Sequence, residues 1–258
     1  MSLTNKNIYS TYKDVITINN SNNGFDANID QLKSGNGNGS ALYLSKDNSK
    51  IQPTTDSTTT HTVYDKDGNL LFSIDSTNDM IKAGINQTHV NTQYADFGID
   101  GKDSFAFTTN HTAVPYHVGQ VQVPHPMGSG TNPDTSLTIS DSGDDLVSSI
   151  WYIPDAIVID AVHVWIGADT ATGDVVRFHL MSYDIDTSNN STSGDLSSGV
   201  VLADGSDITT LGYEQSYYQS MTIQSSAVAS GKAIMFLFKS DTTNSDYSIK
   251  ATIKYHIK

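Results

Sequence analysis

The last twelve residues, YSIKATIKYHIK at positions 247–258, alternate apolar and polar side chains with a period of two. Successive side chains of a β-strand point to opposite sides, so this pattern predicts a strand with one buried and one wet face. Its lysines predict a position near the margin of a sheet, where charge discourages edge-to-edge aggregation. The apolar side chains of the stretch are those of Ile249, Ala251, Ile253, Tyr255 and Ile257.

Seven more strand-like runs precede this one, and turn-forming residues separate them. Repeated short strands with Gly, Asp, Asn and Ser between them are typical of a β-sandwich. We therefore predict an antiparallel, jelly-roll-like sandwich over residues 134–258. The seven runs are SLTI, LVSSIWYI, IVIDAVHVWIGA, DVVRFHLMSYDI, GVVLAD, YYQSMTIQ and AIMFLFKS.

The composition of the chain agrees with an all-β fold. The 258 residues include one glutamate and one arginine, and the polar remainder is dominated by Asn, Ser, Thr, Asp and Gly, which favour turns over helix interiors. Cysteine is absent, so stability must come from core burial or from association between chains. Oligomerisation is therefore expected.

Charge and hydropathy restrict the partners. The formal net charge is −14, which repels nucleic-acid phosphates and anionic lipid, so neither nucleic acid nor a membrane surface is expected as a partner. The opening MSLTNKNIYSTYK lacks the apolar run of a secretory signal, and no apolar run is long enough to span a bilayer. We expect a protein made in a cytoplasm, without membrane insertion.

The chain before residue 134 divides into two parts. Residues 1–85 contain small apolar patches such as VITI and ALYL between Asn/Gly-rich stretches, and each patch is too small to close a core alone. We predict a short-stranded oligomerisation and attachment module there. Residues 86–133 contain four of the six prolines, which predicts a loop-rich connector whose first half folds with either neighbour.

The segment TVYDKDGNLLFSID, residues 62–75, carries an acidic DKDGN. An Asp-Gly pair between strand-like runs predicts a tight hairpin turn. The alternative is a calcium loop, but an EF-hand needs glycine at its sixth position and glutamate at its twelfth, whereas Gly68 is fourth from Asp65 and Ser76 is twelfth. We favour the hairpin and expect no metal or cofactor.

Motifs for catalysis are missing from the sequence: there is no G-x-S-x-G, no HExxH, no phosphate-binding glycine loop and no cysteine. The carboxylates Asp144-Asp145 and Asp184/Asp186 could in principle serve a glycosidase, but turns and strand ends explain them more simply. We therefore expect no enzymatic activity.

The histidines do not show the spacing of a metal site. His111, His117 and His125 lie in the Pro/Gly-rich segment and are predicted to belong to surface loops rather than to a metal centre. His163 and His179 alternate with apolar residues, which places each opposite the core or in a polar pocket.

Aromatic residues give the candidate ligand-binding positions. Tyrosine and tryptophan offer rigid contact area with a polar tip, as recognition surfaces and sugar sites require. The alternative is that Trp151, Trp165 and half of the tyrosines belong to the core. The candidates near predicted strand ends are Tyr213, Tyr217, Tyr218, Trp151 and Tyr152.

The stretches YKDVITINNSNNGFDANIDQLKSGNGNGSALYLS and VYDKDGNLLFSIDSTNDMIKAG resemble N-terminal modules of tailed-bacteriophage virion proteins, especially fibre, spike and head-surface proteins of marine phages. The resemblance covers about the first third of the chain. WYIPDAIVIDAVHVWIGADTATGDVVRFHLMSYDI and SDYSIKATIKYHI resemble the distal β-sandwich of such proteins. The resemblance implies a homotrimer, attached to other virion proteins through its N-terminal module.

Three functions are compatible with these patterns. The first is a non-enzymatic virion protein, a fibre, spike or head-decoration protein whose outward sandwich contacts a host-surface glycan or protein or covers the capsid. The second is a glycan-binding module or glycan-degrading jelly-roll enzyme. The third is a structural virion adaptor that binds no host molecule.

Overall fold

The computed structural model describes residues 16–18, 24–99, 109–119, 125–139, 146–168, 173–241 and 247–258. The chain forms two compact units, Met1–Val90 and Asn91–Lys258. Strands in antiparallel sheets dominate both, so the all-β prediction is confirmed.

The first unit contains two four-stranded antiparallel sheets within its described residues, each with its strands in chain order. Short strands and frequent turns follow from the Asn/Gly-rich sequence. The strands of the first sheet are β1 (Ile16–Ile18), β2 (Asp30–Ser34), β3 (Gly39–Leu44) and β4 (Ser49–Ile51). Those of the second are β5 (His61–Tyr64), β6 (Leu70–Asp75), β7 (Met80–Ala83) and β8 (Thr88–His89).

The turn between β5 and β6 is formed by the DKDGN segment, so the hairpin prediction is confirmed. Asp65 and Asn69 close it through a backbone hydrogen bond of 3.0 Å. The Asp65 carboxylate accepts hydrogen bonds from the backbone N–H of Asp67 at 2.9 Å and of Asn69 at 2.8 Å. Gly68 has a φ of +83°, a conformation that costs other residues energy.

The described part of the first unit contains no fully buried apolar side chain. Among its described residues, the buried side chains are the polar Ser73 and Asp75, whereas the buried apolar residues of the chain begin at Ala95. Asp75 caps the β6–β7 turn by accepting hydrogen bonds from Thr77 and Asn78. The described part of this unit therefore lacks the hydrophobic core that normally stabilises a domain.

One face of the β5–β8 sheet is apolar and remains open. Directly opposite residues of an antiparallel pair share a face, and the pairs His61–Ile74, Val63–Phe72, Phe72–Ala83 and Ile74–Ile81 place their side chains together. Val63 is 45% and Ile81 is 43% exposed. We call this surface the apolar sheet face; it consists of His61, Val63, Phe72, Ile74, Ile81 and Ala83.

The second unit is a two-sheet sandwich. A seven-stranded sheet has the order β10-β20-β14-β15-β18, with β12 beside β20 and β16 beside β14; a six-stranded sheet has the order β11-β9-β21-β13-β17, with β19 beside β13. The strands are β9 (Thr92–Ile99), β10 (Thr112–Val114), β11 (His117–Gly119), β12 (Trp151–Tyr152), β13 (Ile157–Ala168), β14 (Val175–Ile185), β15 (Leu196–Asp204), β16 (Ile208–Thr209), β17 (Gln215–Ser220), β18 (Thr222–Ile223), β19 (Ala227–Val228), β20 (Lys232–Ser240) and β21 (Tyr247–Ile257).

The main core lies between the facing sides of these sheets. Phe97 of the six-stranded sheet packs against Phe236 of the other, with ring centres 6.0 Å apart. Tyr247 meets Phe238 across the same interface at 5.3 Å. In β21 the predicted alternation is confirmed, because Ile249, Ala251 and Ile253 face this core while the alternate residues face outward.

A second core covers the outer side of the seven-stranded sheet. Met181, Tyr183 and Leu237 point away from the first core and pack in a cluster with Met127 and Leu146. The second unit begins at Asn91, so the described residues of the predicted connector from that point on belong to it. Met127 and Ala113 of that stretch help to cover the outer sheet face, which would otherwise be exposed.

The position of β21 corrects the prediction of a marginal strand. It lies inside the six-stranded sheet, paired with β9 on one side and with β13 on the other. β9 comes from the first half of the predicted connector, the part that was expected to fold with either neighbour. The second unit also contains one parallel pair among its described strands, β9 with β11, and both strands lie in the predicted connector.

Candidate recognition face

The outer side of the six-stranded sheet carries exposed aromatic side chains on neighbouring strands. Trp165 lies directly opposite Tyr218 of β17 and, on its other side, opposite Lys250 of β21. In the adjacent row, His163 lies opposite Thr252, and Thr252 lies opposite Asp96 of β9. We call this surface the aromatic face; it consists of Trp165, Tyr218, His163, Lys250, Thr252 and Asp96.

The Tyr218 ring contacts the two other rings of the aromatic face. Trp165 and Tyr218 have ring centres 5.0 Å apart, and His163 stacks on Tyr218 at 6.0 Å with 17° between the planes. The Tyr218 hydroxyl is 2.8 Å from His163 Nδ1, within hydrogen-bond distance. Trp165 and Tyr218 are nevertheless 55% and 52% exposed. The rings are thus fixed by their neighbours and open to solvent.

Polar groups border the rings on the side of β21 and β9. Thr252 donates a hydrogen bond of 2.6 Å from Oγ1 to Asp96 Oδ1. This bond fixes the carboxylate, and the second carboxylate oxygen takes no part in it. Lys250 is exposed beside Trp165. The face therefore combines aromatic surface with a carboxylate, a hydroxyl, an imidazole and an ammonium group.

The tyrosine candidates do not form one surface. Tyr217 and Tyr218 are adjacent in β17 and so point to opposite sides of the sheet. Tyr217 is half-buried against the main core, and its hydroxyl oxygen accepts a hydrogen bond of 2.7 Å from the backbone N–H of Leu211. Tyr213 is 70% exposed in the loop before β17. Of the three, Tyr218 alone belongs to the aromatic face.

Trp151 and Tyr152 lie on the other sheet. Trp151 is 7% exposed, stacks on Tyr116 at 5.9 Å and meets Tyr255 edge to face at 4.9 Å. The core therefore covers its ring, and the residue belongs to the interior of the sandwich. Tyr152 points the opposite way and is 51% exposed.

Trp165 and His163 are the residues that sequence reasoning missed. The sequence favoured the core for Trp165, but it alternates with the buried Val164 and Ile166 and so faces outward. The signal was present in VHVWIGA, where His163 and Trp165 are two residues apart and share a face.

His111 and His179 are fully buried under the segment that covers the seven-stranded sheet, so the surface-loop prediction is wrong for His111. His111 Nδ1 is 3.1 Å from the Gly128 carbonyl oxygen, and its Nε2 has no hydrogen-bond partner. His179 Nε2 is 3.2 Å from Asp204 Oδ1, but neither of its nitrogens makes a well-aligned hydrogen bond. Burial lowers the pKa of both histidines to about 4.

Within the described residues, no group of three or more His, Asp or Glu side chains is arranged to hold a metal ion. None of the helices in that part of the chain is both long and apolar enough for a membrane span.

Comparisons with known proteins give the chain no family. No protein-family model matches it, and no curated protein matches it either. A solved structure described as Eiger TNF from S. frugiperda is similar to it with a TM-score of 0.28 and 10% identity, covering 65% of this chain and 93% of that chain. At this score the likeness carries no argument about function.

Proposed function

We propose that the chain is a non-enzymatic structural protein of a bacteriophage virion, of the fibre, spike or head-decoration type. Its first unit associates with further copies, as a homotrimer, and attaches to other virion proteins. Its sandwich is displayed outward for recognition of a host surface. The bacteriophage context and the number of copies rest on the sequence resemblance.

The observation that carries this proposal is the missing core of the first unit. Eleven of the nineteen exposed large hydrophobic side chains among the described residues lie at or before Val90, although that part is the smaller unit. Exposed apolar surface on this scale marks an interaction surface. The apolar sheet face is part of this surface, and on it the rings of His61 and Phe72 lie edge to face with centres 6.4 Å apart.

Further copies of the chain are the cover that fits this face. The chain has a formal net charge of −14, but the apolar sheet face contains no carboxylate, so two such faces meet without repulsion. A unit without its own core is stable only while a partner covers its apolar sheet face, so the partner must be present when the unit folds. Copies of the same chain meet this condition, because they are always present at equal concentration.

The carboxylates that the sequence offered for glycan cleavage are engaged elsewhere. Lys232 lies 2.5 Å from Asp184 and lowers the pKa of that carboxyl group, while hydrogen bonds from Ser188 and Thr192 lower the pKa of Asp186. A glycosidase acid needs the opposite, a raised pKa. Asp144 and Asp145 lie outside the described residues.

Light scattering on the full chain tests the self-association. We expect three times the chain mass of 27.9 kDa for the parent. Ile81→Asp should shift the mass to that of a monomer, because it buries a charge in the interface. Thr58→Asp adds the same charge at an exposed turn and should keep the trimer. A monomeric parent, or equal masses for the two variants, would overturn the association.

Electron microscopy tests the virion placement. Gold-labelled antibodies against the sandwich should mark the outer surface of purified particles. Particles that contain the chain but bind no antibody would favour an internal adaptor. Particles that lack the chain would refute the structural role.

A further inference from the structure

The aromatic face is a surface of the sandwich to which the proposed recognition of a host can be assigned. Large rings are usually covered in a stable fold, because burial of their apolar area is favourable. Trp165 and Tyr218 instead remain about half exposed on regular strands in the middle and at the edge of a sheet. Their exposure is fixed by strand register, since the inward positions are already filled by core residues.

The surroundings of Trp165 leave one side of its ring accessible. The next outward position along β13 is Gly167, whose neighbours across the sheet are Ser216 and Ser248. A Cβ at Gly167 would come within 2.6 Å of Ser248 Oγ, so a larger side chain does not fit there without movement. Beside the indole ring the sheet therefore carries only small side chains, and a flat molecule can lie against the exposed side of the ring.

The polar groups have the pattern that a sugar requires. A pyranose presents C–H groups on its flat faces and hydroxyl groups around its rim, which matches an aromatic ring bordered by hydrogen-bonding groups. Asp96 offers a carboxylate oxygen, His163 an imidazole nitrogen and Lys250 an ammonium donor. The four strands from β9 to β17 span about 14 Å, the length of two or three sugar rings.

We propose that the aromatic face binds a neutral pyranose oligosaccharide, with one sugar ring on Trp165 and neighbouring hydroxyl groups bonded by His163, Lys250 and Asp96. A nucleobase could also stack on these rings, but the attached phosphates would meet a chain with a formal net charge of −14. A stable protein–protein interface buries a larger surface with a drier centre than this face offers, since here only two exposed rings lie between rows of polar groups.

This inference rests on the recognition part of the proposed function, and its test is independent of virion placement and of self-association. The purified full chain is applied to an array of defined neutral pyranose oligosaccharides. The strongest-binding oligosaccharide is then titrated while tryptophan fluorescence is followed. The chain has two tryptophans and Trp151 is buried, so a ligand-induced change reports on Trp165.

Matched variants separate the site from the fold. Trp165→Thr and Tyr218→Thr keep residues that favour strands and remove exposed rings, so we expect unchanged melting and at least about tenfold weaker sugar binding. Tyr64→Thr removes an equally exposed ring from β5 of the first unit and should bind like the parent.

Three results would overturn the proposal. The first is a parent chain that binds no oligosaccharide on the array. The second is sugar binding that survives Trp165→Thr. The third is binding of the parent chain to host envelopes that resists periodate oxidation of glycans but is lost after protease treatment, because a protein would then be the partner.

Discussion

The imidazole rings of His111 and His179 meet edge to face, with ring centres 4.9 Å apart and both side chains fully buried. Lys239 of β20 and Arg177 of β14 add positive charge near the pair and disfavour its protonation, whereas Asp204 and Asp134 oppose them. Burial is the largest cause of the lowered pKa values. The pair is therefore neutral in the folded protein at physiological pH.

This pair predicts a loss of stability in acid. The folded pKa values of about 4 lie below the ordinary value of 6.5, so the unfolded chain binds more protons between these pH values. The free energy of unfolding should thus fall as the pH drops from 6.5 towards 4, by up to about 1.4 kcal/mol per pH unit for each histidine. Urea unfolding at several pH values measures this slope.

Variants isolate the contribution of the pair from that of the carboxylates. In His111→Phe/His179→Phe the slope between pH 6.5 and 4 should become smaller, because no buried imidazole is left to protonate. His163→Gln, on the aromatic face, should keep the parent slope. An equal slope in the parent and in the double variant would contradict the assignment.

Adjacent residues of β12 should differ sharply in their contribution to stability. Trp151→Ala removes a ring packed between Tyr116 and Tyr255 and should lower the free energy of unfolding by about 3–5 kcal/mol. Tyr152→Ala removes an exposed ring and should change it by less than about 0.5 kcal/mol. Denaturant unfolding measures both, and similar losses would show that Tyr152 is also packed.

Tyr217 and Tyr213 form a second contrasting pair. Tyr217→Ala leaves a gap at the main core and removes the acceptor of the Leu211 N–H, so we expect a loss of about 1–3 kcal/mol. Tyr213→Ala should melt like the parent, because this residue is 70% exposed. Thermal melting followed by circular dichroism compares them, and a stable Tyr217→Ala protein would contradict the inward position.

Gly68→Val should destabilise the β5–β6 hairpin. Nothing lies within 4 Å of a Cβ built at Gly68, so the cost of about 1–2 kcal/mol comes from its φ of +83° alone. Gly68→Asn should cost less, since asparagine tolerates this conformation better. Hydrogen exchange at the Asn69 amide, which bonds to Asp65, measures the opening of the turn. Equal exchange in both variants would contradict the backbone argument.

The same turn should not bind calcium. Two backbone N–H groups and the Asn69 side chain already occupy the Asp65 carboxylate and lower its pKa, with the Asn69 side chain as the largest cause. Calorimetric titration with calcium should give no binding heat. A micromolar site that Asp67→Ala abolishes would show that the loop binds metal.

Local sequence patterns determined the strands and the side chains that share a face. The alternation of β21 and of IVIDAVHVWIGA placed their inward residues correctly, because the period of two is a property of the extended backbone. DKDG determined the β5–β6 turn for a similar reason, since Gly68 supplies the positive φ that the turn needs. The small apolar patches before residue 85 also pointed to a unit without its own core.

Which faces are covered was decided by the tertiary structure. Trp165 and Trp151 both stand in strand-like runs, but the second is enclosed by Tyr116 and Tyr255, whereas nothing comparable covers the first among the described residues. His111 and His179 are buried because the segment around Met127 packs over the outer side of their sheet. Such contacts join residues far apart in the chain, and local periodicity carries no information about which distant segment will pack against a face.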